Sequence, residues 1–268
     1  MKYKLIAADM DGTLLNDASE ISMRTKAAII EAVEAGTVFV TATGRAMSGS
    51  EMVNDLLEKD FPFIIFNGAS AIMGKSRKTL FNIYLDFDQA KEVVEQGKSR
   101  GVPMVIWTDT GLRKVRGDNP TAEYRDYQRK YCASNYKEIR EIDEINNENV
   151  YKIIWFGVDA QIREFQSVMN RYFAGSVNCY SSLPVFLEFV SREADKGSAL
   201  EKIGNLYGID RSGMIAVGDG CNDISMLKFA GLGIAMENAP DDVKAASDGM
   251  TLSNNNDGLA AVIERYLL

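Results

Sequence analysis

The feature that most limits the fold is a strand–helix–strand unit at the start of the chain. Residues 3–8 (Tyr-Lys-Leu-Ile-Ala-Ala) form a short run with little polar alternation, the pattern of a strand buried on both faces of a parallel sheet. Ser22 then supplies an N-cap, Ile29, Ile30 and Val33 the apolar positions, and Gly36 the stop of a helix over 23–35. The β-branched run Thr37–Thr43 is a second strand. Strand, helix and strand at this length make a βαβ unit with a right-handed crossover. A helix near 47–59 and a strand near 62–66 continue the rhythm. It returns after residue 196, with helices at 197–207, 223–230, 240–246 and 257–267 and strands at 214–217, 232–236 and 249–252.

The middle of the chain differs. Strand-like runs at 79–85, 103–108, 151–158, 176–181 and 185–190 alternate with helical stretches near 87–100, 120–132 and 160–173. The fold class is therefore α/β: a doubly wound, Rossmann-like parallel-sheet core from residues 1–81 and 186–268, with an α+β domain of residues 82–185 inserted at a loop. A chain of 268 residues buries enough surface to need no covalent staples.

Composition removes whole classes of chemistry. The chain has no histidine, which excludes Ser-His-Asp hydrolysis, phosphohistidine chemistry and the commonest zinc and haem ligation. Lys and Arg number 30 against 38 Asp and Glu, a net charge of −8, so no nucleic-acid partner is expected. Cys132, Cys179 and Cys221 lie far apart without a CxxC pair and read as free thiols of a reducing compartment. Met1-Lys2-Tyr3-Lys4 leads into a run of only four apolar residues before Asp9, too short for a signal peptide, and no apolar run approaches the ~18 residues of a membrane span. The expectation is a cytoplasmic protein without a membrane partner, a monomer or weak homodimer.

Ligands of open α/β sheets bind beyond the carboxyl ends of the strands. There the sequence places Asp9-Met10-Asp11-Gly12-Thr13, Thr43-Gly44-Arg45, Asn67-Gly68 and Gly218-Asp219-Gly220-Cys221-Asn222-Asp223, with Lys196-Gly197 opening the helix before the last of these. Taken singly, Asp-Gly is a common turn and a lone lysine is a solvated surface group. As an EF-hand loop, Gly218–Asp223 lacks the required glycine and a glutamate at the twelfth place. As a dinucleotide fingerprint it has Asp223 where the third glycine belongs, and no P-loop occurs. No cysteine has an arginine six residues later, which removes a cysteine phosphatase loop. A lysine at a helix start costs roughly 0.3–1 kcal/mol against the macrodipole, so Lys196 calls for a nearby anion. Clustered carboxylates raise one another's pKa unless a cation intervenes. Oxygen-only ligands point to Mg²⁺, and the lysine with loop N–H groups completes a phosphate site.

Asp9-Met10-Asp11-Gly12-Thr13-Leu14 resembles the first motif of the haloacid dehalogenase superfamily. Ala42-Thr43-Gly44-Arg45 resembles the second motif in its Cof-type branch, Lys196-Gly197 with Ala199-Leu200 the third, and Gly218–Asp223 with Met226-Leu227 the fourth. Ala235–Ala239, Ser253-Asn254 and Asp257-Gly258 are also similar to this branch. The resemblance spans both ends of the chain in order. It implies a Mg²⁺-dependent phosphatase of small phosphorylated metabolites, such as sugar phosphates, working through an aspartyl-phosphate. Asp9 would be the nucleophile and a metal ligand, and Asp11 the general acid/base with its carbonyl on the metal. Asp219 would ligate Mg²⁺ in a loop that includes Gly220, with Asp223 supporting the metal. Thr43, Lys196, Asn222 and N–H groups near Met10 and Gly44 would hold the phosphoryl group.

The insertion resembles the larger α/β (type IIB) cap of this branch, which implies closure over the site. Residues 111–132 carry six cations (Arg113, Lys114, Arg116, Arg125, Arg129, Lys130) against three acids (Asp118, Glu123, Asp126), a net +3 that either steers anionic substrates or is a solvated helix face. Tyr124, Tyr127, Tyr131 and Tyr136 either stack on a sugar or base, or pack. Two alternatives remain open at this point: a phosphotransferase or mutase using the same Asp9 chemistry, and a non-catalytic phospho-ligand sensor, which would need neither nucleophile nor acid.

Overall fold

A computed structural model describes residues 2–115, 122, 124–126 and 136–268. The chain divides into two units, Met1–Phe81 with Asp195–Leu268, and Asn82–Ala194. The first begins with β1 (Leu5–Asp9), a helix over Met23–Glu34, β2 (Val38–Ala42), β3 (Pro62–Ile65), β4 (Ser70–Met73) and β5 (Thr79–Asn82). The second contributes β6 (Met104–Thr108), β7 (Gly111–Val115), β8 (Tyr136–Ile139), β9 (Val150–Phe156), β10 (Val177–Leu183) and β11 (Phe186–Ser191), with helices Phe87–Ser99 and Asp159–Phe173. The chain then returns through helix Lys196–Tyr207, β12 (Met214–Gly218), helix Ile224–Phe229, β13 (Leu232–Ala235), β14 (Gly249–Met250) and helix Gly258–Tyr266.

In the first unit an eight-stranded sheet runs β14-β13-β12-β1-β2-β3-β4-β5. The ladders from β14 to β3 are parallel, and β4 turns back antiparallel to β3. All five residues of β1 and of β12 are buried, as central strands covered on both faces require. The order reverses around β1, whose two neighbours come from opposite ends of the chain, and that is where such sheets bind ligands. Ser22 caps the first helix by accepting from the Thr25 N–H. The helix expected near 47–59 shrinks to a 3-10 turn at Met47–Gly49 and one α-turn at Glu51–Asn54. Ser50, between them, bonds back to the Ala46 carbonyl with its hydroxyl, and such local bonds compete with a continuing helix.

In the second unit a six-stranded sheet runs β10-β11-β9-β6-β7-β8, antiparallel except for the β7–β8 pair. β11 pairs with β9 and β10, so the boundary falls after Ala194 and not at 185/186 as the sequence reading had it. The run at 185–190 does stand among the strand-like runs of the middle stretch, and the boundary at 185/186 cuts it off from them. β4, β7 and β8 were not expected from the sequence: they are four or five residues long, and β7 and β8 lie in charged sequence. One sheet face packs under the two helices around Ile106, Ile153, Trp155 and Phe189. On the other, Tyr124 stands edge-on to Phe156 at 5.0 Å, so this tyrosine packs. Tyr136 is 45% exposed, with Lys114 5.8 Å from its ring. Arg113 is buried against Glu148 at 2.8 Å. Arg116, Asp118, Glu123, Tyr127, Arg129, Lys130 and Tyr131 lie outside the described residues, as does most of the expected helix 120–132. Among the described residues no helix is long and apolar enough to cross a membrane.

Candidate active site

β1 ends on Asp9, β12 ends one residue before Asp219, and the helix after β11 begins with Lys196. The Lys196 side chain is completely buried, and its Nζ donates to Asp9 Oδ1 at 2.6 Å and Asp223 Oδ1 at 2.5 Å. The cost expected for a cation at a helix start is met in two ways. The ammonium reaches two carboxylates, and the N-cap is Asp195, whose own carboxylate accepts from the Gly197 and Ser198 N–H groups.

Asp223 is buried, and its second oxygen accepts from the backbone N–H groups of Asp219 (3.0 Å) and Gly220 (2.8 Å). Gly220 also accepts the Asp223 N–H with its carbonyl, so this glycine braces Asp223 with both backbone groups. The two oxygens of Asp219 accept from the Thr13 hydroxyl (2.9 Å) and the Asn238 amide (3.3 Å). Asn238 also donates to the Gly12 carbonyl at 2.9 Å. Gly12 has φ +83°, and a Cβ there would sit 2.3 Å from Asp219 Oδ2, so the close passage of the two loops demands glycine.

One carboxylate oxygen each from Asp9, Asp219 and Asp223 lies within 4.8 Å of the others. Three anions share one lysine. Burial first, then the neighbouring Asp223 carboxylate, hold the Asp9 carboxyl well above the usual range. The same two causes push Asp219 up to about 6, while Thr13 and Lys196 pull it down. Lys196 is raised by the paired carboxylates against the opposing effect of burial. The unbalanced oxygen cluster is a donor set that a hard divalent cation would satisfy.

The other predicted residues lie around this cluster. Thr43 is buried at the end of β2, and its Oγ1 accepts the Arg45 N–H, which leaves the hydroxyl proton to donate elsewhere. The Asn222 amide donates to Asn67 Oδ1 at 2.9 Å, and Gly44 lies against that same oxygen. The Met10 side chain is fully buried, so only its backbone belongs to the rim. Asp11 is 53% exposed and is gripped by Arg45, whose Nε donates to one carboxylate oxygen at 2.8 Å and whose Nη2 donates to the other. Thr13, Asn67, Asp195 and Asn238 join the site without having been assigned roles from sequence. Thr13, Asn67 and Asn238 stand inside segments singled out there, and their role is legible only once the loops are brought together.

Residues 6–263 match the haloacid dehalogenase-like hydrolases. The chain belongs to that family. It is 30% identical to the 5-amino-6-(5-phospho-D-ribitylamino)uracil phosphatase YwtE of Bacillus subtilis, with 98% of each chain covered. It is 29% identical to the putative phosphatase YxeH of the same organism, with 99% of each covered. Among solved structures, a haloacid dehalogenase-like hydrolase from Bacteroides thetaiotaomicron superposes with a TM-score of 0.81 at 30% identity, covering 98% of this chain and 99% of that one. The fold and the relatives agree on an enzyme of the phosphatase class, a phosphoric monoester hydrolase.

Proposed function

We propose that the chain is a Mg²⁺-dependent phosphatase of small phosphorylated metabolites, with sugar or polyol phosphates as the substrate class and a phosphate ester on Asp9 as the intermediate. The observation that carries this reading is the Lys196 ammonium between Asp9 and Asp223, with Asp219 within reach at the same strand ends. A carboxylate at the end of a central strand, pinned by an ammonium, is positioned as a nucleophile toward a bound phosphoryl group. The name of one relative, a phosphatase of a phosphorylated ribityl compound, supports the polyol or sugar phosphate class.

The carboxylates of Asp9 and Asp219 and the Asp11 carbonyl would hold Mg²⁺, with Asp223 and Gly220 shaping its loop. When bound, the ion neutralises charge that would otherwise oppose attack of one anion on another. An Asp9 oxygen forms the new bond to phosphorus as the bond to the ester oxygen breaks. Asp11 gives that leaving oxygen a proton, a role no histidine is present to take. Asp11 then takes a proton from water, the water attacks phosphorus, the bond to Asp9 breaks, and inorganic phosphate leaves. Lys196, Thr43, Asn222 and the backbone N–H groups near Met10 and Gly44 stabilise the phosphoryl oxygens throughout. In its resting position Asp11 pairs with Arg45, so it must leave that partner to reach the leaving oxygen.

A screen of phosphorylated metabolites with Mg²⁺, using Asp9→Asn as control, tests the reading. Expected is turnover of one or more sugar or polyol phosphates, lost with EDTA and in the variant. Full turnover in metal-free buffer would overturn the Mg²⁺ assignment, and an active Asp9→Asn would overturn the mechanism.

A further inference from the structure

β3 ends in a backbone conformation that an ordinary turn does not need. Phe66 and Asn67 have φ of +53° and +56°, and Gly68 follows at +99°. Residues with side chains persist in the left-handed region only where the surroundings over-determine them, and such strain gathers at functional sites. All three residues are buried.

This segment meets three other loops. The Phe66 N–H donates to the Arg45 carbonyl (3.0 Å), and the Asn67 N–H donates to the Thr43 carbonyl (3.1 Å). Asn67 Oδ1 accepts from the Asn222 amide at 2.9 Å, and a Cβ on Gly44 would lie 2.8 Å from that same oxygen. A Cβ on Gly68 would lie 2.3 Å from the carbonyl oxygen of Asp195, the cap of the helix that carries Lys196. The strained turn thus abuts the Thr43–Arg45 loop, the Asn222 loop and the start of the Lys196 helix.

We propose that Asn67 is a positioning residue for phosphoryl binding, acting through Asn222 and the Thr43–Gly44 loop. The inference rests on the reading above that those residues hold the phosphoryl group. A side-chain amide presents either N–H donors or a carbonyl oxygen, and only the donors suit a phosphate. By accepting one N–H of Asn222, Asn67 fixes the plane of that amide and the direction of its second N–H. Asparagine tolerates left-handed backbone better than other residues with a side chain, so it suits both the turn and the hydrogen bond.

Asn67→Gly separates the two roles, because glycine adopts this backbone freely but has no acceptor. The experiment uses the full chain with Mg²⁺, nitrophenyl phosphate as substrate and inorganic phosphate as competitive inhibitor. Asn67→Gly should melt at or above the wild-type temperature. It should raise KM and the phosphate Ki roughly tenfold, as expected for a misaligned hydrogen bond to a charged group, and change kcat much less. In an Asn222→Ala background the same substitution should change both constants less, because only the Thr43–Gly44 contact remains to be lost. Asn67→Asp keeps the acceptor and the backbone preference but adds a negative charge, and should raise the phosphate Ki further than Asn67→Gly.

Wild-type KM and Ki in Asn67→Gly, alongside a weakened Asn222→Ala, would overturn the role of Asn67 alone. Equal effects of Asn67→Gly with and without Asn222 would also overturn it. Wild-type phosphate binding in Asn222→Ala would remove the phosphate-site assignment and this inference with it.

Discussion

In the inserted unit Lys152 and Glu188 meet across neighbouring strands at 2.7 Å, 3% and 4% exposed, as a matched pair. In the catalytic unit the equally buried Lys196 meets Asp9 and Asp223, with Asp219 in the same cluster, one cation to three anions. The matched pair sits within β9 and β11. The unmatched cluster sits where strands end, and Lys196 and Asp9 come from segments 187 residues apart. A buried pair of opposite charges offsets its own charge and serves the sheet. An excess of buried negative charge is costly to the empty fold and is retained where a ligand supplies the missing positive charge.

Substitutions can break this contrast from either side. The largest expected effect is that of Asp9→Asn, which should lower turnover by roughly 10⁶-fold, the scale of losing a nucleophile. It should also raise the melting temperature of metal-free protein, because it removes one of three crowded anions. Calorimetry and a phosphatase assay on the same sample check both, and a variant less stable than wild type would contradict the excess-charge account.

Lys196→Met should lower kcat/KM by about 10²–10³, by analogy with loss of an oxyanion donor. Lys196 at a helix start reads from sequence as a dipole cost, which would make its removal slightly stabilising. With the ammonium bridging two buried carboxylates, the loss should instead cost about 3–5 kcal/mol of metal-free stability. Denaturant unfolding with and without Mg²⁺ measures it, and a stabilised variant would restore the dipole reading.

Asn238→Ala and Thr13→Val each remove a donor that orients Asp219. Divalent-cation affinity, read by calorimetric titration, should weaken roughly 10- to 100-fold, as for other outer partners of metal ligands. kcat at saturating metal should stay near wild type. Unchanged affinity would mean that Asp219 needs neither partner.

The smallest effect on turnover belongs to the matched pair. Lys152→Met should destabilise by about 3–5 kcal/mol because it takes the ammonium away from the buried Glu188 carboxylate, and adding Glu188→Leu should recover most of that loss. The folded fraction should turn over substrate as wild type does. A loss of activity without a loss of stability would move Lys152 from the sheet to the substrate.

The sequence made the βαβ rhythm and the four rim segments legible because each is contiguous: an apolar run, then its polar end. Asp9, Asp219, Asp223 and Lys196 were named from that pattern, and they meet in the structure. What was not legible depends on contacts between loops far apart in the chain. Asn238 reaches Gly12 across 226 residues, and Asn222 reaches Asn67 across 155. No periodicity or spacing reports either pair. Short polar strands such as β8 leave no alternation to read, and their pairing is set by neighbours. The boundary at 185/186 missed β11 for another reason, since a buried strand carries no mark of which sheet it will join.

The central claim is that Asp9 is the group that takes the phosphoryl. Mass spectrometry of enzyme quenched within its first turnovers of nitrophenyl phosphate tests it most directly, using Asp11→Asn to slow the second step. The account predicts phosphate on Asp9, accumulated in the variant above its level in wild type. Phosphate on a serine, threonine or cysteine, or no phosphoenzyme in an active preparation, would contradict it.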